Sequence, residues 1–143
     1  MIPLKDFDEF LEDGTVRKIT PDKNRANYLK EEAGKRLKFL SKLKASFGIR
    51  DDNANYIVEN CYDALSELIR ARMLEAGYSA SGPGAHEAEV AFLRKLSFSD
   101  ADIIFLNELR YFRNGILYYG KSLDRGYALK ADSFTVRIFP ELS

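Results

Sequence analysis

The sequence predicts an all-α protein: an up-down bundle of four to five main helices, with short terminal helices, in a single domain over residues 1–143. Three observations predict it. Apolar residues recur at spacings of three and four along nearly the whole chain. Helix start and stop signals fall between these runs. Period-two alternation stands out only near the C-terminus, where a lone strand has no partner in a helical chain.

Taken in order, Phe7, Phe10 and Leu11 form the apolar edge of a short first helix after Pro3, and Gly14 ends it. Thr20-Pro21 reads as a cap followed by proline at the first helical position. From there Ala26, Leu29, Ala33, Leu37, Leu40, Leu43 and Phe47 make one stripe about seven turns long, stopped by Gly48. Asp51, Asp52 or Asn53 caps the next helix. Its stripe of Ile57, Cys61, Ala64, Leu65, Leu68 and Ile69, widened by Tyr62 and Met73, predicts burial on two sides. Gly77 closes it. "SASGPG", residues 79–84, reads as the clearest loop, short enough to return the chain antiparallel.

The following helix runs from about His86 through Val90, Phe92, Leu93 and Leu96. "SDAD", beginning at Ser99, supplies a cap and first-turn acids for another, carrying Ile103, Leu106, Leu109, Phe112, Ile116 and Tyr119. Gly115 lies inside that helix. In the last segment Phe134, Val136 and Ile138 alternate like a strand, while Ala131, Phe134, Ile138 and Leu142 fit a helix, which is the reading preferred. Ile57, Cys61, Leu65, Leu68, Leu93, Leu106, Leu109 and Phe112 are the expected core.

Composition narrows the chemistry. No apolar run approaches the ~20 residues that span a bilayer. The N-terminus is acidic, which speaks against a signal or transit peptide, so a cytoplasmic location without membrane attachment is expected. Cys61 is the single cysteine and His86 the single histidine. An internal disulfide, a cysteine-based zinc site and any mechanism needing two histidines are therefore excluded; no cofactor or metal is expected. Cys61 sits on an apolar stripe and reads as an inert buried thiol. His86, near a helix start, reads as a capping or surface residue.

Net charge is zero, yet residues 21–50 hold nine basic residues against three acidic, and residues 51–80 two against six. Two readings follow: neighbouring helices with complementary surfaces, which is preferred, or a basic face for a nucleic-acid backbone. Lys35, Lys38 and Lys42 fall opposite the apolar stripe, toward water.

The stretch "ELRYFRNGILYYGKSLD", residues 108–124, places an Arg-Asn pair inside an aromatic-rich helical pattern. Arg110, Arg113, Asn114, Tyr118 and Tyr119 form its polar set. They read either as buried polar groups and core aromatics or as a phosphate site.

Together with "YDALSELIRARMLEAGYSASGPGAHEAEVAFL", this stretch resembles the HEPN superfamily of small prokaryotic helical domains. The resemblance covers roughly residues 53–125. The family motif is an arginine, a polar neighbour, a short spacer and a histidine. Arg113 and Asn114 match its first two members, Gly115, Ile116 and Leu117 fill the spacer, and the histidine position falls on Tyr118, a departure. The resemblance implies a helical bundle that dimerises and brings two motifs into one cleft. Active members are metal-independent ribonucleases, often toxins or defence effectors. Many are encoded beside a minimal nucleotidyltransferase antitoxin, and inactive members bind RNA or dimerise. It thereby implies Arg113, Asn114 and Tyr118 as the catalytic set, with Arg110 and Tyr119 as ligand-binding neighbours.

Metal-independent RNA cleavage needs a base for the 2′-hydroxyl proton and a cation for the phosphorane. Arginine suits the second task. A tyrosine with an ordinary pKa near 10 serves the first poorly at neutral pH. Three readings follow. One is an RNA- or nucleotide-binding domain of a toxin–antitoxin or defence module, weak or inactive as a nuclease. The second is a working ribonuclease using Tyr118 or His86. The third is a homodimeric adaptor for a nucleotidyltransferase partner.

Overall fold

The computed structural model describes residues 3–120 and 122–143, with the side chains of all of these except residues 117–119. The elements run α1 (Phe7–Glu12), β1 (Val16–Lys18), α2 (Lys23–Phe47), a single 3-10 turn (Asp51–Asn53), α3 (Ala54–Ala76), β2 (Tyr78–Ala80), α4 (Ala85–Phe92), α5 (Asp100–Tyr119) and α6 (Arg125–Leu142). The chain is an all-α bundle, with one small two-stranded antiparallel ladder, between strands far apart in sequence, as its only described sheet.

α3 is the central helix. It packs against α2, α4, α5, α6 and β2, and for that reason its apolar surface runs most of the way round. Ile57, Cys61, Tyr62, Leu65, Leu68, Ile69 and Met73 are all buried there. They meet Ala33 and Leu40 from α2, Leu106 and Leu109 from α5, and Ala131, Ile138 and Leu142 from α6. Seven of the eight expected core residues are buried; Phe112 is half-buried, with its ring edge-on to Tyr127 at 5.0 Å. Burial pushes the Cys61 thiol up to about 11, so it stays protonated and unreactive.

The local signals are mostly realised. Ser99 Oγ accepts from the Asp102 amide at 3.2 Å and caps α5. The C-terminal segment is helical, since Phe134, Ile138 and Leu142 all reach the core while Val136 stays exposed. Asp124 caps it by accepting from the Tyr127 amide at 2.8 Å.

Four expectations are corrected. The α2 cap is Asp22, which accepts from the Arg25 amide at 3.0 Å, so Thr20-Pro21 lies before the helix rather than inside it. Phe47, at the end of the α2 stripe, is 66% exposed, because the stripe runs past the neighbours that cover Leu40. Asn53 stands at the N-cap position of α3, after a 3-10 turn, but its side chain accepts from the Arg50 amide at 2.9 Å and makes no cap bond to α3. Residues 79 and 80, read as loop, belong to β2, which pairs antiparallel with β1 in the register Val16–Ala80, Arg17–Ser79 and Lys18–Tyr78.

That ladder continues beyond its strands: the Ile19 amide donates to the Gly77 carbonyl at 2.9 Å and the Ser81 amide to Thr15 at 3.0 Å. It leaves residue 77 no room. A Cβ there would stand 2.9 Å from the Ile19 carbonyl oxygen, and the backbone has φ of +87°. Both facts require glycine. No helix among the described residues is long and apolar enough to cross a membrane.

Candidate functional site

Three helices bring their polar residues to one seam. α3 supplies Tyr62, Asp63, Ser66 and Arg70, roughly one turn apart. α4 supplies His86 and Glu89, three residues apart on one face. α5 supplies Asn107, Arg110, Arg113 and Asn114.

Glu89 is the anchor of its α4 side. It is 3% exposed and accepts from Ser66 Oγ at 3.0 Å and from Arg70 Nε at 3.0 Å, with His86 Nδ1 at 3.1 Å. Burial pushes its carboxyl up, but the His86 hydrogen bond and the Arg70 charge outweigh that, and the net position lies below the ordinary carboxylate range. Glu89 is therefore ionised at neutral pH. The His86 side chain is 45% exposed and stands edge-on to the Tyr62 ring, with centroids 6.2 Å apart.

The α5 side holds the Arg-Asn pair. Arg113 Nη2 forms an ion pair with Asp63 Oδ1 at 3.1 Å, and its Cζ lies 5.8 Å from the Tyr62 ring centroid, within cation–π range. Asp63 also faces Arg36 of α2 at 3.9 Å, so one carboxylate sits between two guanidiniums. Arg110 donates from Nε to Asn107 Oδ1 at 3.0 Å, and its Nη1 is 4.0 Å from Glu87. Asn114 is half-buried and has no partner among the described residues.

Tyr62 joins the two sides. It is 1% exposed, and its hydroxyl is a donor without a hydrogen-bond partner among the described residues. Burial first, then the Glu89 charge, pushes its pKa far up, against the lowering effect of Arg110 and Arg113. It is a permanently protonated donor and no base. Arg113 Nε is likewise buried and unpartnered. Leaving a buried donor unsatisfied costs about 1–3 kcal/mol. Both atoms belong to residues in cation–π contact, and neither has a hydrogen-bond partner among the described residues.

The structure thus brings Arg110 and Arg113 to the Tyr62 side of the seam, while Asn114 follows Arg113 on α5 with no contact among the described residues that ties it there. The side chains of Tyr118 and Tyr119 lie outside the described residues. His86 reaches the same seam from α4 through Tyr62, with no direct contact to Arg113; it is neither a cap nor an isolated surface residue. Sequence reading passed over Tyr62, Asp63, Ser66 and Glu89 as site residues. The available signal was the Tyr62-Ser66-Arg70 spacing of four on a helix otherwise apolar on that side, and a lone acid inside "AEVAFL". Comparisons with family models, with curated proteins and with solved structures return no match to this chain.

Proposed function

We propose that this chain is a HEPN-like domain of a toxin–antitoxin or defence-type module. It binds RNA or nucleotide phosphate at Arg113 and Asn114, in a cleft completed by a second copy, with little or no nuclease activity. The observation that carries this reading is the pair of buried donors, Arg113 Nε and Tyr62 Oη, that have no hydrogen-bond partner among the described residues, with Asn114 the next residue on α5 and also without one there. All three are donors that an anion engages once the side chains covering Arg113 Nε and Tyr62 Oη move aside, and the Asp63 ion pair holds the guanidinium in place beforehand. Strong cleavage is not expected, since neither Tyr62 nor an ordinary tyrosine takes up a proton readily at neutral pH.

Binding of a short single-stranded RNA and of a nucleoside triphosphate tests it. Arg113→Ala removes a charge-assisted contact worth about 1.5–3 kcal/mol, so affinity falls roughly ten- to hundredfold and its salt dependence flattens. Arg113→Lys restores charge without the planar fork and recovers only part. Unchanged affinity in Arg113→Ala rejects the site. Absence of binding by the parent protein favours the adaptor reading, with a nucleotidyltransferase as the partner to seek.

One observation supports the ribonuclease alternative. A carboxylate on His86 Nδ1, with the ring half open to solvent, is how a general-base imidazole is oriented. If His86 acts, EDTA-resistant RNA cleavage by the parent protein is lost in His86→Ala, with general-base help typically worth ~10²–10⁴ in rate. Cleavage that survives His86→Ala removes it from the mechanism.

A further inference from the structure

The nine cations of residues 21–50 resolve into three groups. Lys30, Arg36 and Lys44 turn inward, to Glu75 at 3.0 Å, Glu67 at 2.7 Å and Asp132 at 2.8 Å. These are the complementary surfaces between helices. Lys35 pairs with Glu32 in its own helix, and Arg50 with Asp52. Lys23, Arg25, Lys38 and Lys42 are exposed and have no ion-pair partner among the described residues.

The outward face of α2 also carries aromatic rings that the bundle does not use. Tyr28 is 60% exposed and Phe39 54%. At about 100° per residue, Tyr28, Lys35, Phe39 and Lys42 fall within about 60° of one another, and the two rings are about 16 Å apart along the axis. Lys38 flanks the stripe on one side. Two acids border it, Glu31 on one side and Glu32, the partner of Lys35, on the other. Singly exposed rings are ordinary on a protein surface; what distinguishes these two is that they share one helix face with exposed lysines between and beside them.

From this we infer that the outer face of α2 is a docking surface for single-stranded nucleic acid, separate from the Arg113 seam and independent of the reading given to it. Bases stack on Tyr28 and Phe39, whose flat faces accept any base, while Lys38 and Lys42 meet the phosphates and release their counterions. The pattern does not suit a lipid surface. An interfacial helix needs a broad continuous apolar face, and α2 has already committed its own, through Ala26, Ala33 and Leu40, to the bundle. Arg36, about 60° round α2 from Phe39, turns from this stripe to Glu67 and Asp63 of α3, and Asp63 is the carboxylate that Arg113 also meets.

The test uses the full chain and fluorescence anisotropy with an unstructured single-stranded RNA of about 12 nucleotides, across a salt series. Tyr28→Ala with Phe39→Ala lowers affinity at least about fivefold per ring while leaving the salt slope near its parent value. Lys38→Gln with Lys42→Gln reduces the magnitude of the slope by about 1.4, from about 0.7 per phosphate contact. All four positions are exposed, and circular dichroism checks that both variants stay folded. Loss in the α2 variants with Arg113→Ala unaffected supports this surface and removes the Arg113 site. Loss in Arg113→Ala with both α2 variants at parental affinity overturns the α2 surface and leaves the other standing. A parent protein that binds anionic phosphatidylserine vesicles and no RNA overturns it as well.

Discussion

Glu89→Ala lowers unfolding stability by about 3 kcal/mol in urea denaturation at pH 7, among the largest effects expected of any single polar change. The carboxylate is nearly inaccessible to water and holds Ser66, Arg70 and His86. Removing it strands a buried serine hydroxyl and leaves Arg70, which is partly exposed, without its anion. Arg70 recovers some hydration, and that keeps the loss below the cost of a fully buried charge.

The same residue sets a pH dependence. Its folded pKa is depressed, so its contribution is complete above the unfolded carboxylate value of ~4.3 and is lost as pH falls through the lower folded value. Glu89→Gln keeps the shape and removes the titration. Urea midpoints measured between pH 7 and 3 then show a shallower acid limb in Glu89→Gln than in the parent. A residual slope remains, because Asp102 is also held low by its hydrogen bond from Arg137. Parallel acid limbs in the two proteins would exclude Glu89 as an ionised anchor.

The second large effect is apolar. Leu65→Ala costs about 3 kcal/mol, within the range for leucines that leave a cavity, and lowers Tm by roughly 10 °C in a chain of this size. Leu65 is fully buried on α3, where all the layers meet, so no neighbour can close the gap without leaving another contact. Tyr56→Ala, on the same helix but 62% exposed, stays within about 0.5 kcal/mol of the parent. Calorimetry on the two variants separates the central position from the helix that carries it. Equal losses would mean that α3 is weakened by helix propensity and not by packing.

Helix existence and core faces were legible because they are local and periodic. Ile57, Cys61, Leu65 and Leu68 mark a face by spacing alone, and Ser99 and Gly77 mark ends by the backbone groups they satisfy. The α6 ambiguity was also decidable in principle: Ala131, Phe134, Ile138 and Leu142 reach the core only at a helical period. The polar seam was half legible. Arg113 and Asn114 announce themselves by standing in an aromatic-rich helix, whereas Asp63 and Glu89 read as ordinary surface acids. Nothing in a single helix says which of its polar residues will face another helix.

By itself, then, the sequence determined that these helices exist, roughly where they lie and most of the face each buries, and the candidate status of Arg110, Arg113 and Asn114. Those properties depend on residues a few positions apart. Only the tertiary structure decided that residues 16–18 and 78–80 pair as strands, since three-residue strands have no period to read and gain their hydrogen bonds only when α2 and α3 bring them together. It likewise decided that Glu89 is a buried anchor, that Tyr62 links His86 to Arg113, and that some lysines of α2 find acids while others face water. Each of these is a contact between residues distant in sequence, and its energy exists only once the helices have packed.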